Sequence, residues 1–194
     1  MGTSQEQEST VQINSQEQEN TEQISYPSVE TLLSTVTREY DTEANRKRDI
    51  ETRAGVLIAL LGALIGFYTS ALDFSFFKKA NSSIEILCFV IVSVLYIFPA
   101  IMQLIAFKHL INVLKTYEYD TLGLGGFDKE HVAQKPKENL QFNLTKQYKK
   151  IIVVNRKAND TKVELFKKGI KEIYISIIGI VVVYFMKQIL LLIV

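Results

Sequence analysis

Lys187 and Gln188 interrupt the apolar run "VVVYFMKQILLLIV" only seven residues before its end. A lysine at membrane depth is expensive. It therefore points to a pore lining or a contact with another polar helix, set against snorkelling toward nearby headgroups. Gln103 is a third polar group in apolar surroundings, in the run "ILCFVIVSVLYIFPAIMQLIAF". Pro99 in that run is expected to kink the helix and free a carbonyl one turn earlier. Ser93 and Tyr96 read as helix-contact groups rather than reactive ones.

A second set of chemistry-bearing residues recurs at helical spacing. Val29, Leu33, Val36, Tyr40, Glu43, Lys47, Ile50, Ala54 and Leu57 alternate by four and three, one seam running into an apolar stretch. Tyr148, Ile152, Asn155, Asn159, Lys162, Phe166, Gly169 and Ile173 repeat the pattern before another. Glu43, Asn155, Asn159 and Lys162 form a polar seam on these faces, which weakens packing but fixes register and partner number. With Ala54 and Ile173 at one depth, Glu43 is expected opposite Lys162 and Tyr40 near Asn159. The other reading has these polar groups facing water.

A third set is made of small residues. Gly55, Ala59, Gly62, Ala63 and Gly66 recur through "RAGVLIALLGALIGFYTS", with a GxxxG spacing at Gly62 and Gly66. Such stripes let helix backbones approach closely, within one chain or between copies.

Little else suggests catalysis. Cys88 is the single cysteine and lies in an apolar run, and His109 and His131 are the only histidines, so no metal site and no disulfide are expected. The glycines of "LGLGGFDKE" lack the Lys-Ser/Thr ending of a phosphate loop and follow no strand, which makes them a turn. No nucleophile has a histidine and acid beside it. The chain is therefore read as a non-enzyme with no cofactor. Its 22 basic and 21 acidic residues leave a net charge of +1, which argues against nucleic acid as a partner.

The elements that hold these groups are helices. Residues 54–72, 86–107 and 173–194 are each long and apolar enough to cross a bilayer. Pro27 and Ser28 mark the start of the helix entering the first span. The second span is expected to continue inward through "KHLINVLKTYEY" before a loop around Pro136. Arg38, Arg46, Lys47, Arg48 and Arg53 precede the first span, and residues 108–172 hold fourteen Lys and Arg. The positive-inside rule then places the N-terminus and the 108–172 segment in the cytoplasm and the C-terminus outside. Before all this, residues 4–14 and 15–25 repeat one another at eight of eleven positions, "SQEQESTVQIN" and "SQEQENTEQIS". Residues 1–27 read as a disordered Gln/Glu-rich tail. The expected fold is an all-α integral membrane protein over 28–194: three transmembrane helices whose long cytoplasmic extensions form a small bundle.

The runs "NRKRDIETRAGVLIALLGALIGF" and "YKKIIVVNRKANDTKVELFKKGI", each a basic helix entering a span, carry a resemblance. In layout residues 38–194 resemble small bacterial membrane proteins of the SLATT and Pycsar-type transmembrane effector groups. That resemblance implies an antiphage effector that damages or permeabilises the inner membrane when a nucleotide sensor triggers it. Those groups have two or four spans where this chain has three, and the chain carries no sensor domain. A separate cytoplasmic sensor or nucleotide-signalling protein is then the implied partner. The expectation is an inner-membrane homo-oligomer, with the bilayer itself as a further partner, that compromises the membrane in abortive infection. The alternative is a non-enzymatic scaffold or accessory subunit that docks a cytoplasmic protein through its helices.

Overall fold

The computed structural model describes residues 26–70, 82–115, 119–123, 125 and 129–193. The repeated tail read as disordered and Gly126 of the "LGLGGFDKE" turn lie outside these residues. The described residues form helices and connections without a strand. The helices are α1 (Val29–Ser70), α2 (Ser83–Leu114), a single turn α3 (Glu130–Ala133) and α4 (Lys137–Ile193). Among them α1, α2 and α4 are long and apolar enough to cross a membrane, the make-up of a multi-pass membrane protein.

Local chemistry sets the helix ends. α1 starts directly after Pro27–Ser28, where the Leu32 N–H donates to the Ser28 carbonyl at 3.0 Å and Glu30 occupies the first turn. α2 starts with a capping box: the Ser82 hydroxyl accepts from the Ile84 N–H, and the Glu85 carboxylate accepts from the Ser82 N–H, both at 3.2 Å. α4 opens immediately after Pro136, whose fixed φ suits a helix start. At the other end of α2, Lys115 turns to φ −60° and ψ 139°. The helix therefore stops at Leu114 and does not run through Tyr119, as the reading of "KHLINVLKTYEY" expected.

At 1.5 Å per residue, the 42 residues of α1 span about 63 Å and the 57 of α4 about 85 Å. Both exceed a hydrocarbon core of about 30 Å, so each runs unbroken from a polar section into an apolar one. α1 and α4 lie parallel, α2 runs antiparallel, and all three touch. The seam positions of α1 and α4 are the ones turned inward: Val29, Glu43, Ile50 and Ala54 on α1, and Ile152, Asn155, Asn159, Lys162 and Gly169 on α4, are buried. Outward, the apolar sections present large side chains, with Phe67 75% and Ile84 74% exposed. Contiguous surface of this kind suits hydrocarbon rather than water.

A close contact at a glycine fixes relative depth. A Cβ at Gly169 would lie 2.9 Å from both Cγ and Cδ2 of Leu110, closer than real side chains approach. α4 can reach α2 here only because residue 169 has no side chain. Leu110 and Ala106 share one core cluster with Ile50, Ala54, Leu61 and Val113, which Phe166 and Ile173 flank. Ala54 therefore lies near the level of Gly169, about one turn from the depth assumed when it was paired with Ile173. Further along, Gly179 stands against the Pro99 ring, with a notional Cβ 3.0 Å from Pro99 Cγ.

Candidate functional site: a buried polar layer

Below the core cluster, toward the N-terminal ends of α1 and α4, the interior changes character. Glu43, Asn155, Asn159 and Lys162 are all at least 96% buried. A buried polar group without a partner is costly, and these four are tied to three separate segments.

The first tie is between α1 and α4. Asn159 Nδ2 donates to both the Glu43 carbonyl and Glu43 Oε2, each at 2.9 Å. Arg156 Nε donates to Glu43 Oε1 at 2.9 Å, and its Nη2 to Glu39 Oε2 at 3.2 Å. Arg46 stands 3.5 Å from Glu43 on the same helix and reaches Asp160 at 2.7 Å. Glu43 thus meets Asn159 and Arg156, not Lys162. Tyr40 meets Tyr148 edge-on, with ring centroids 5.4 Å apart. The physical reason is the depth set at Gly169, which slides α4 relative to the alignment assumed from the start of its apolar run.

The second tie holds the end of α2. Lys162, only 1% exposed, donates Nζ to the Val113 carbonyl at 2.9 Å and pairs with Glu51. Val113 lies in the last turn of α2, where carbonyls have no intrahelical partner. A buried cation there satisfies an orphan acceptor and opposes the negative end of the helix dipole. The third tie catches the chain beyond that end. Asn155 accepts from the Asp120 N–H at 2.8 Å and donates back to the Asp120 carbonyl at 3.0 Å, as a paired strand residue would. Tyr119 is clamped beside it, with Lys47 Nζ 4.3 Å from its ring centre.

Electrostatics follow from this packing. Burial pushes the Glu43 carboxyl up, but the bonds from Asn159 and Arg156 and the Arg46 charge outweigh it and hold the group below its ordinary 4.5. Burial pushes the Tyr119 phenol up, and Tyr40 and Glu43 push it further. Bonding and proximity to Glu43 raise the Arg156 guanidinium. A carboxyl with a depressed folded pKa stabilises the fold above its unfolded value, and that contribution is lost as pH falls through the folded value. The melting temperature of the detergent-solubilised protein should therefore drop as pH falls below about 4.5, with a shallower profile for Glu43→Gln. Thermal scans between pH 3 and 7 check both slopes.

Within the apolar sections, Pro99 and its neighbours form a smaller polar contact. The Tyr68 hydroxyl of α1 donates to the Tyr96 carbonyl at 2.6 Å, and the Ser176 hydroxyl of α4 donates to the Pro99 carbonyl at 3.3 Å. Proline removes the ladder bond to the Leu95 carbonyl, and beside that gap hydroxyls from both flanking helices meet the Tyr96 and Pro99 carbonyls. Gln103 is 1% exposed, and its Nε2 finds no partner among the described residues. Lys187 is half-buried and Gln188 exposed, both on α4, away from Gln103 and from the polar layer. The small residues of α1 lie elsewhere again. Ala59, Gly62, Ala63 and Gly66 are exposed, and a Cβ at Gly55, Gly62 or Gly66 would meet nothing within 4 Å. Packing within the chain is therefore not what this stripe serves among the described residues; α2 and α4 cover the opposite side of α1, through Ala54, Leu61 and Tyr68.

The seam pattern pointed to the four polar positions but not to Arg156, Glu51, Tyr119 or the Asp120 backbone. Arg156 follows Asn155 directly and is half-exposed, and nothing in the spacing marks it. Gly169 stands within the seam, yet its close approach to Leu110 has no signal beyond its residue type. No group of three or more His, Cys, Asp or Glu able to hold a metal occurs among the described residues. The chain matches no family model, curated protein or solved structure, so the polar layer and the uncovered small-residue face have only their own geometry to speak for them.

Proposed function

We propose that this chain is a multi-pass effector of the bacterial inner membrane. It assembles with copies of itself through α1 and perturbs or permeabilises the bilayer, without catalysis, in antiphage defence. The polar halves of the helices then form a cytoplasmic bundle, with the N-terminus inside and the C-terminus outside, as the basic residues before the first span favour. The observation that carries the reading is the uncovered face of Gly55, Ala59, Gly62, Ala63 and Gly66. Small-residue faces associate helices in lipid through close backbone contact. The opposite face of α1 is already committed to α2 and α4, so the partner for this one is a second copy. The buried polar layer supports the same reading by locking the cytoplasmic halves of each protomer into one register, so that assembly joins like units. The layout resemblance supplies the defence setting and a cytoplasmic sensor as the trigger.

The test joins assembly to leakage. Gly62→Leu with Gly66→Leu should leave each protomer folded, since neither Cβ meets a neighbour and leucine favours helix over glycine by about 1 kcal/mol per site. Cross-linked oligomers should disappear from membranes, and dye release from reconstituted vesicles should fall at least about tenfold, the equivalent of about 1.4 kcal/mol lost from association. Unchanged oligomers and unchanged release would overturn the proposal.

A further inference from the structure

The N-terminal end of α4 carries a groove that the polar layer does not use. It has a volume of about 510 Å³ and lies between α4 and the segment around α3. Lys129 and Lys135 stand on one wall, and Lys146 and Lys150 stand on the α4 wall with Asn143 and Gln147. No carboxylate lines it among the described residues. Four lysines line this one concavity, and their like charges favour an anion there. Lys150 is 23 residues before Ile173 on one helix, about 35 Å from the apolar section, too far for a lipid headgroup to serve.

The described chain begins beside this groove. The Tyr26 N–H donates to Glu138 at 2.7 Å, and its ring stacks on Phe142 with centroids 4.7 Å apart and an 11° tilt. Lys146 reaches over the same Phe142 ring, its Nζ 4.3 Å from the centre. Tyr26, which residues 1–25 precede in the sequence, thus stands one side chain away from a groove lysine. Residues 1–25 carry Glu6, Glu8, Glu17, Glu19 and Glu22 and no Lys or Arg. The two copies of the repeat each place two carboxylates two residues apart, in "SQEQE".

We propose that the lysine groove is the docking site for this chain's own acidic N-terminal repeat. Charge complementarity selects an acidic peptide, and the Tyr26 anchor makes its supply intramolecular. A tethered segment acts at an effective concentration of about millimolar, so weak ion pairs suffice to fill the groove. Twenty-five residues reach at most about 85 Å, so either copy of the repeat spans the distance. Occupied in this way, the groove is closed to other polyanions until the tail is displaced. The proposal stands apart from the assembly of α1 and survives its failure.

Zero-length carbodiimide cross-linking of the full-length protein in detergent, mapped by peptide mass spectrometry, tests it. Glutamates 6, 8, 17, 19 and 22 should join Lys129, Lys135, Lys146 and Lys150 on the order of tenfold more than the exposed Lys149, Lys157, Lys167 and Lys168. One molar salt should abolish the preference, because the pairs are exposed. Changing the four groove lysines to Gln should do the same, with helix content by circular dichroism unchanged. Mixing isotope-labelled and unlabelled protein should give only links within one label. Links spread evenly over exposed lysines would overturn the proposal, and mixed-label links would overturn it in favour of a second copy. Protection of the four lysines by tripolyphosphate, with no tail links in the intact chain, would assign the groove to a free polyanion instead.

Discussion

Asn159→Asp should destabilise the protein by about 3 kcal/mol or more at neutral pH and invert the pH dependence of its stability. Asn159 is fully buried, and its amide Nδ2 feeds two acceptors of Glu43, the backbone carbonyl and Oε2. Aspartate has nearly the same shape but supplies only acceptors when ionised. Three oxygens would then converge where one donor stood, two of them on carboxylates, and Arg156 and Arg46 cannot neutralise both charges fully. Two carboxylates sharing a site drive one pKa strongly upward. A group whose folded pKa is raised stabilises below its unfolded value, and that support is lost as pH rises through the folded value. The variant should therefore gain stability on acidification, as one proton restores the missing donor, over the range where the wild type begins to lose it. Asn159→Leu separates charge from hydrogen bonding: it should cost about 1–3 kcal/mol with no inversion. Thermal scans of the three proteins at pH 4, 5.5 and 7 decide the matter, and parallel profiles would mean that Glu43 and residue 159 do not share a buried site.

This layer also shows which parts of the structure are legible in a sequence of this kind. The four-three spacing from Val29 to Leu57, and again from Tyr148 to Ile173, identifies the inward face of each helix, because every side chain on a helix is placed by the same 3.6-residue period. Face and axial register are separate quantities. Aligning the starts of the apolar runs put Glu43 opposite Lys162, whereas Lys162 reaches Glu51 and the Val113 carbonyl. Depth is set where backbones come closest, and that depends on a contact between Gly169 and Leu110 from different helices, which no pattern within one helix encodes. The same limit applies to Asn155. Its spacing says that it points inward, but its partner is the Asp120 backbone, whose groups look alike in every residue. The small-residue stripe of α1 marks the converse case. Its composition suits close packing, yet the close packing inside this chain falls on Gly169 and Gly179 of α4, and the stripe of α1 is left facing outward.

That contrast yields the second large effect. Gly169→Leu should cost about 3 kcal/mol or more and loosen α4 from α2, although the same substitution at Gly62 or Gly66 leaves the protomer intact. A Cβ at residue 169 already lies 2.9 Å from Leu110 Cγ, and the Ala106 carbonyl follows at 3.6 Å. Leu110 has no exposed surface and packs in the core with Ala54, Leu61 and Val113, so it has nowhere to withdraw. Even Gly169→Ala, worth about 1 kcal/mol in helix propensity, should come out unfavourable for this reason. Separation at this level would also carry Lys162 away from the Val113 carbonyl, because both ends of that bond lie within two turns of the clash. The loss would then propagate from an apolar contact into the polar layer. Shortening the partner should reverse much of it: Gly169→Ala with Leu110→Ala should be more stable than the sum of the single losses predicts, by about 1 kcal/mol or more. A double-mutant cycle in detergent, read by denaturant midpoints, measures that coupling. Simple additivity would mean that Leu110 does not fill the space residue 169 leaves open, and with it would go the depth that places Asn159 against Glu43.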